Sequence, residues 1–301
     1  MGFRTLEISQ ASEIHIKNGQ LEITTGEGTA LVPVEDLSLI MAHGANIRLS
    51  TMDLSILSQS KVGLITLDEK YLPTAMVLPF EGHARQSKMM HAQVSADSVK
   101  KRELWLQIIR QKIRNQSRTL SIIGAFGAEE IAEYADKITI ENADSVEALA
   151  AKAYFGRFHE GLNQRAEDPV NSRLNYGYAV IRSYIARSLV ATGFHPTFGL
   201  HHDSQLNAFN LADDLIEPYR PMVDLIAHQS IGANLRLTKT ERKTIAHVLY
   251  NACMVDGIKM NIMSAIDTMV ESLKRIILNE STEMMKLPMV LPIESMESIT
   301  E

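Results

Sequence analysis

The chain has 301 residues, of which 45% are hydrophobic and 22% are charged, and its formal net charge is −6. These fractions are typical of folded proteins, so they exclude a largely disordered chain and allow one large domain or two smaller ones. No apolar run reaches the roughly 20 residues that a membrane span requires, the first ten residues lack the apolar segment of a secretory signal, and the single Cys253 excludes an intrachain disulfide. We therefore expect a cytoplasmic protein with no membrane partner.

The first 80 residues carry the pattern of a small β-domain. Short runs rich in Ile, Val, Thr and Leu alternate partly between apolar and polar residues, which predicts strands. Turn signals separate these runs, and Asn18-Gly19 is typical of a tight hairpin. Residues 51–60 carry the one helical pattern in this part of the chain. The predicted strands are FRTLEIS, SEIHIKNG, QLEITTG, TALVPV, LSLIMAHG, NIRLS, VGLITLD and TAMVLP.

Helical patterns dominate from Ala84 onward, so the predicted fold class is α+β. A small N-terminal β-domain, residues 1–80, is followed by a larger all-α domain, residues 84–285. Residues 286–301 are interrupted by Pro and rich in acids, and we predict an acidic C-terminal tail. Spacings of four and three predict one apolar helical face, suited to core or dimer packing. That face comprises Ile262, Ile266, Met269, Leu273 and Ile276.

Charge is unevenly distributed along the chain. Between Arg85 and Arg118 there are nine Lys and Arg residues and only two acids. A basic helical face of this kind is compatible with contact to DNA phosphates. The alternative is an ordinary solvated helix face.

Glu147 stands out because it is the only acid on an apolar helical file that continues through Ala151, Phe155 and Phe158. A carboxylate among apolar residues is costly unless it is paired or binds a metal ion. The alternative is a capping box, in which Asp144 caps the helix and Glu147 lies three residues later.

The segment from Gly193 to Pro221 concentrates imidazoles and carboxylates. Such a collection of side chains is a candidate metal site, and within it Asp214 and Glu217 lie three apart, so both can face the same way on a helix. The collection comprises His195, His201, His202, Asp203, Asp213, Asp214 and Glu217. Pro218 predicts an interrupted helix that exposes the carboxylate of Glu217. Carboxylates with one imidazole suit Mg²⁺ or Mn²⁺ better than a structural zinc site. The alternative is a capped helix with ordinary surface acids.

Four segments follow one another in the second part of the chain: EALAAKAYF at 147–155, NSRLNYGY at 171–178, GFHPTFGLHH at 193–202 and NLADDLIEPYRP at 210–221. In this order they resemble the CRISPR-associated integrase family, the larger, catalytic subunit of the spacer-acquisition complex. The β-then-α layout agrees with the family as well. The double His and the motif DDLIEP resemble members found beside type II CRISPR systems.

This resemblance implies that Glu147, His202 and Glu217 are the catalytic residues and hold a Mg²⁺ or Mn²⁺ ion in the helical domain. Many relatives carry Asp at the third position, and Glu217 keeps the carboxylate. Asp214 is implied as an additional ligand or as a group that supports the ligands. Residues near this set in sequence are predicted to contact DNA, the alternative being ion pairs within the helical domain. They are Arg157, Arg173, Asn175, Tyr176, Arg182 and Arg220.

The activity that the resemblance implies is that of a metal-dependent DNA endonuclease and integrase in antiviral defence. The 3′-hydroxyl of a short DNA spacer attacks a phosphodiester at the edge of a CRISPR repeat, so one bond forms as another breaks. The implied partners are double-stranded DNA, a second copy of the chain and a small ferredoxin-fold protein. Two alternatives remain open at this point: a non-catalytic DNA-binding scaffold and a structure-specific nuclease of DNA repair.

Overall fold

The structure, a computed structural model, describes residues 2, 4–44, 46–68, 73–80, 83–158, 169–229 and 237–293. Internal contacts divide the chain into two compact units. The first unit contains residues 1–90 and 186–195, and the second contains residues 91–185 and 196–301. The chain is a mixed α+β protein whose strand-rich N-terminal part precedes a mainly helical part, as the sequence predicts.

The first unit contains two four-stranded sheets, in the orders β1-β5-β7-β8 and β4-β3-β2-β6. All eight predicted strands are confirmed, as is the predicted helix, α1. Their apolar faces supply one core that includes Ile14, Leu21, Leu37 and Leu64. The elements are β1 (Arg4–Ile8), β2 (Ser12–Lys17), β3 (Gln20–Thr25), β4 (Gly28–Pro33), β5 (Leu37–Ala42), β6 (Ile47–Leu49), α1 (Thr51–Gln59), β7 (Gly63–Leu67) and β8 (Pro73–Val77).

The pairing of these strands combines local and distant partners. The predicted hairpin at Asn18-Gly19 joins antiparallel β2 and β3, and both turn residues have positive φ values, 51° and 72°. In contrast, β1, β5 and β7 run parallel to one another, and β6 runs parallel to β2. Alternation within a strand marks its buried face but does not identify a distant partner, so the sequence did not predict the parallel pairs.

The second unit is built mainly from helices, and α3 is its longest. Two further elements span the boundary between the units, because α2 begins before residue 91 and α6 ends after residue 185. The helices are α2 (Gln86–Val94), α3 (Ser98–Ile122), α4 (Ala128–Lys137), α5 (Ala143–Phe158), α6 (Pro169–Ala191), α7 (Asn210–Ile216), α8 (Arg220–Gln229), α9 (Lys239–Ala246) and α10 (Ile262–Ile277).

The heptad-like face of α10 lies in the interior of this unit. All five of its residues are buried within the single chain, at 0–8% exposure. The two uses predicted for this face were core packing and dimer packing, and the structure assigns it to the core. Asn261 caps the helix through a hydrogen bond that its side chain accepts from the backbone N–H of Ser264, at 2.8 Å.

The helical part is not purely α-helical, which corrects the all-α prediction. A small sheet of order β10-β9-β11 contains β9 (Ala252–Val255), β10 (Ile258–Asn261) and β11 (Met289–Val290). The strand β11 lies inside the segment predicted as an acidic tail, and residues 294–301 of that segment lie outside the described residues. Strands of two to four residues are too short to give a readable alternation, so the sequence pattern missed them.

Within the described ranges, no helix combines the length and the apolar composition that a bilayer-spanning segment requires.

Candidate active site

The centre of the candidate site is a buried cation that two acids share. The Nζ atom of Lys112, on α3, lies 2.5 Å from Oε1 of Glu147 and 2.5 Å from Oε2 of Glu217. The Lys112 side chain is only 10% exposed. Burial favours the neutral amine, yet the two carboxylates outweigh it and raise the pKa of Lys112. Two acids that are 70 residues apart in the chain are therefore held together by one ammonium group.

Glu147 reaches the site from the second turn of α5. The helix begins at Ala143, so Asp144 lies inside its first turn and is not the residue that caps it. The capping-box interpretation of Asp144 and Glu147 is therefore wrong. The side chain of Glu147 keeps 26% of its surface exposed, which leaves its carboxylate open to a cleft.

Glu217 reaches the site from an interruption between two helices. The helix α7 ends at Ile216, a short 3₁₀ turn covers Glu217–Tyr219, and α8 begins at Arg220. The predicted interruption at Pro218 is confirmed, but the carboxylate of Glu217 is buried at 8% exposure rather than exposed. Burial alone would raise the pKa of Glu217, but Arg220, whose Nε donates at 2.8 Å, and Lys112 together lower it to about 2.

His202 belongs to a second cluster, which Asp214 organises. The carboxylate of Asp214 is fully buried and accepts hydrogen bonds from three consecutive backbone N–H groups, those of Leu200, His201 and His202, at 2.6, 3.1 and 3.1 Å. It also contacts Nδ1 of His202 at 2.6 Å. This hydrogen bond raises the pKa of His202 against the effect of partial burial. Because Nδ1 is engaged, Nε2 is the nitrogen that His202 can offer to a metal ion or substrate.

His201 is held by an aromatic stack, although 37% of its side chain is exposed. Its ring lies parallel to the indole of Trp105, with centroids 4.3 Å apart, and its Nε2 is 3.5 Å from Asp144. Trp105 also meets the ring of His202 edge-on at 5.7 Å. Trp105 therefore supports the loop that carries both imidazoles.

The carboxylate pair fits a divalent cation, because its oxygens converge on a single positive charge. The imidazole of His202 is not grouped with these two carboxylates. Among the described residues, no three His, Cys, Asp or Glu side chains are grouped closely enough to hold a metal ion. The structure thus unites Glu147 with Glu217, places His202 in the neighbouring Asp214 cluster, and puts the ammonium of Lys112 between the acids.

The predicted DNA contacts divide into buried and accessible residues. Arg173 is fully buried and pairs with Glu241, and Tyr176 is 1% exposed. Both belong to the interior, so for Arg173 the ion-pair alternative describes the structure. Asn175 is exposed beside the acids.

The remaining predicted contacts are arginines that already have partners within the helical unit. Arg157 pairs with Glu130 at 2.6 Å, and Arg182 pairs with Asp213 at 2.8 Å. Arg220 pairs with Glu217 and lies over the ring of Tyr178 at 4.7 Å. Arg182 and Arg220 are each 33% exposed, so both still present surface to solvent.

Several cations of the stretch from Arg85 to Arg118 are likewise neutralised internally. Lys112 is buried among the acids, Arg110 donates to the backbone carbonyls of Ala135 and Ile138, and Arg114 faces Asp136 at 3.7 Å. Arg102 and Arg118 remain exposed. The charge count along the sequence therefore overstates how much of this stretch is a free basic surface.

A cleft of about 340 Å³ opens beside the carboxylate pair. Asp224 lies on its wall and accepts hydrogen bonds from the hydroxyls of Tyr154, at 2.9 Å, and Tyr178. Burial raises the pKa of Asp224 to about 6, although the tyrosine hydrogen bonds and Arg220 oppose the shift. The cleft is lined by Lys112, Gln116, Glu147, Ala151, Phe155, Asn171, Leu174, Asn175, Tyr178, Glu217, Arg220 and Asp224.

Sequence reasoning missed Lys112 and Asp224 as members of this site. Lys112 was counted among surface cations, although it lies four residues after Ile108 and one before Ile113, both of which are buried. That apolar spacing is the signal that places Lys112 on the buried side of α3. Asp224 likewise lies between apolar residues in the helix RPMVDLIAHQ, and this pattern indicates that its side chain is buried.

Comparisons with known proteins agree with this architecture. A family model described as CRISPR associated protein Cas1 matches residues 7–249. A CRISPR-associated endonuclease Cas1 from Neisseria meningitidis serogroup C (strain 8013) is 32% identical over 299 residues, which cover 98% of each chain.

Two solved structures share the fold. A casposase bound to integration product aligns with a TM-score of 0.79 at 18% identity, covering 94% of this chain and 92% of that one. A Cas6-RT-Cas1–Cas2 complex aligns with a TM-score of 0.73 at 17% identity, covering 94% of this chain and 36% of the other. The family match and the full-length similarity to the Neisseria protein show that the chain belongs to the Cas1 family of CRISPR-associated proteins.

Proposed function

We propose that this protein is a metal-dependent DNA endonuclease and integrase that inserts short DNA spacers into a CRISPR array. The observation that carries the proposal is the pair of Glu147 and Glu217, whose oxygens face one positive charge at the edge of a cleft. Full-length similarity to a relative named as a CRISPR-associated endonuclease supports the reaction class.

In this proposal Glu147 and Glu217 hold a Mg²⁺ or Mn²⁺ ion, and His202 completes the ligand set through Nε2. When bound, such an ion activates the attacking oxygen and stabilises negative charge on the phosphate that is being transferred. Asp214 keeps Nδ1 of His202 engaged and so selects the nitrogen that faces the site. His202 has to approach the acids, because the three groups do not converge in the described structure.

The same cleft offers groups for the DNA strand that reacts. Arg220 is partly exposed, and Asn175 lies at the surface beside it, so both can donate hydrogen bonds to phosphate oxygens. In the reaction, the 3′-hydroxyl of the spacer attacks a phosphodiester of the repeat, and the displaced 3′-oxygen of the repeat strand leaves. One phosphodiester replaces another, so no external energy source is needed.

The partners proposed for this chain are double-stranded DNA, a second copy of the chain and a small ferredoxin-fold protein. Support comes from solved relatives that are described as bound to an integration product and as part of a Cas1–Cas2 complex. Since the proposed substrate and target are both DNA, we place the protein in the cytoplasm.

A strand-transfer assay with the purified protein, a short duplex spacer and a repeat-containing plasmid tests the proposal. We expect Glu147→Ala, His202→Ala or Glu217→Ala to reduce strand transfer by at least about 10³-fold, as removal of an essential catalytic group does. Glu133→Ala serves as the control. It removes a carboxylate whose side chain is 64% exposed, so the rate of strand transfer should stay unchanged.

Three outcomes would point elsewhere. Normal strand transfer by the three variants would overturn the assignment of these residues. DNA binding without any cleavage or joining, with or without EDTA, would favour a non-catalytic scaffold. Cleavage of branched DNA that does not depend on a repeat would instead favour a nuclease of DNA repair.

A further inference from the structure

Lys112 bridges the two acids that are proposed to bind the metal ion. Its ammonium is equidistant from the two acids at 2.5 Å and has lost nearly all contact with solvent. An ammonium at this position forms ion pairs with both carboxylates. The place where oxygen atoms of Glu147 and Glu217 converge is therefore already filled by a cation that the protein itself supplies.

The charges of the cluster explain why a metal ion and this ammonium compete. Lys112 and Arg220 contribute two positive charges, Glu147 and Glu217 contribute two negative charges, and Asp224 on the cleft wall adds a third negative charge when it is ionised. A divalent cation added to this set would leave an excess of positive charge beside the ammonium of Lys112, which is only 10% exposed. Repulsion between like charges is strong in such surroundings.

We propose that Lys112 is a built-in competitor of the metal ion, so that metal binding requires its ammonium to leave the two carboxylates. This inference rests on the proposed function, because it takes Glu147 and Glu217 as metal ligands. The displacement is geometrically available. Lys112 also lines the cleft of about 340 Å³, and a lysine side chain can swing through its four-carbon stem without moving the helix.

Manganese binding to the full-length protein in the absence of DNA tests the competition. Free Mn²⁺ is measured by its electron paramagnetic resonance signal. Lys112→Met keeps the length of the side chain and removes its charge. We therefore expect this variant to bind Mn²⁺ with a dissociation constant about tenfold lower than that of the wild-type protein. Lys112→Arg keeps the competing charge and should bind as the wild type does or more weakly.

Two further variants make the result specific. Lys152→Met removes an exposed lysine from α5 and should leave the affinity unchanged. Glu217→Gln removes one proposed ligand and should weaken Mn²⁺ binding by at least about tenfold. Binding that is insensitive to Glu217→Gln would overturn the proposed metal site and this inference with it. Binding that depends on Glu217 but is equal or weaker in Lys112→Met would overturn this inference alone.

If Lys112→Met fails to fold, the wild-type protein decides the matter through the reactivity of its lysines. Buried in its ion pairs, Lys112 should resist acetylation by an amine-reactive ester, as followed by mass spectrometry. Saturating Mn²⁺ should increase its modification severalfold while leaving that of Lys152 unchanged. Protection of Lys112 that persists under saturating Mn²⁺ would overturn the proposal.

Discussion

The two halves of the candidate site are held together by different interactions. The carboxylate half consists of charged side chains from α3, α5 and the turn after α7, and ion pairs to Lys112 and Arg220 hold it together. The imidazole half is a loop that a single carboxylate, Asp214, ties to the fold through backbone N–H groups. In the first half the side chains of Glu217 and Glu147 are 8% and 26% exposed, whereas His202 is 44% exposed. The acids are therefore held by ion pairs, whereas the position of the imidazole depends on one buried carboxylate.

The largest effect is expected from Asp214, since the imidazole half depends on it. Asp214→Ala removes the acceptor of three backbone N–H groups and of the His202 ring. We expect a loss of about 3 kcal/mol in the free energy of unfolding. Strand transfer should fall by about 10²-fold, because His202 loses its orientation. Urea denaturation and the strand-transfer assay measure the two effects.

Asp213 provides the matched control for that experiment. It lies one residue away on the same helix, but it pairs with the partly exposed Arg182 at 2.8 Å and accepts a hydrogen bond from the Asn207 amide at 2.6 Å. Asp213→Ala should therefore change the free energy of unfolding by less than about 1 kcal/mol. Equal losses in the two variants would show that the loop does not depend on Asp214 in particular.

A second prediction concerns Asp224, on the wall of the carboxylate half. Its pKa rises from 3.8 in the unfolded chain to about 6 in the folded protein, so the folded state holds the proton more tightly. The contribution of Asp224 to stability is therefore complete below about pH 4 and is lost as the pH rises towards 6. The integrated change is about 3 kcal/mol.

Asp224→Asn tests this sign, because the amide does not titrate. We expect the difference in free energy of unfolding between the variant and the wild type to shift in favour of the variant by up to about 3 kcal/mol between pH 4 and pH 7. Denaturation curves across this range measure it, and the other acids cancel in the difference. A difference that is constant with pH would mean that Asp224 keeps an ordinary pKa in the folded protein.

The smallest effect is expected at the stack of Trp105 and His201. His201→Ala removes a parallel ring contact and should lower the free energy of unfolding by about 1 kcal/mol. His201→Phe keeps an aromatic ring and should recover most of that loss. If His201→Ala instead abolished strand transfer while the stability stayed the same, His201 would act on substrate directly.

Local patterns in the sequence predicted much of this molecule. The strands of the first unit, the Asn18-Gly19 turn and the helix interruption at Pro218 each depend on a few adjacent residues. The parallel pairs of β1, β5 and β7 depend on strands that are distant in the chain, and no local pattern carries their register.

Prediction of the candidate site from the sequence was limited in the same way. The acids and imidazoles were visible as residue types, but their partners were not. The ammonium that joins Glu147 to Glu217 comes from a helix that precedes both of them in the chain. Its role depends on which side of α3 is buried and on what that side meets, and both are properties of the packed unit. The domain limits at residues 80, 84 and 285 remain predictions.

The side chain of Asn115 connects the last described residues of the chain to the candidate site. Its fully buried side-chain amide donates to the carbonyls of Pro218, at 2.7 Å, and Pro288, at 2.9 Å, and its oxygen accepts from the N–H of Val290 at 3.2 Å. One asparagine, one turn along α3 from Lys112, thus ties the strand β11 to the turn that carries Glu217. Trimming this protein before Pro288 to obtain a shorter version would remove two of those three bonds, so such an edit at the end of the chain would act on the turn that carries Glu217.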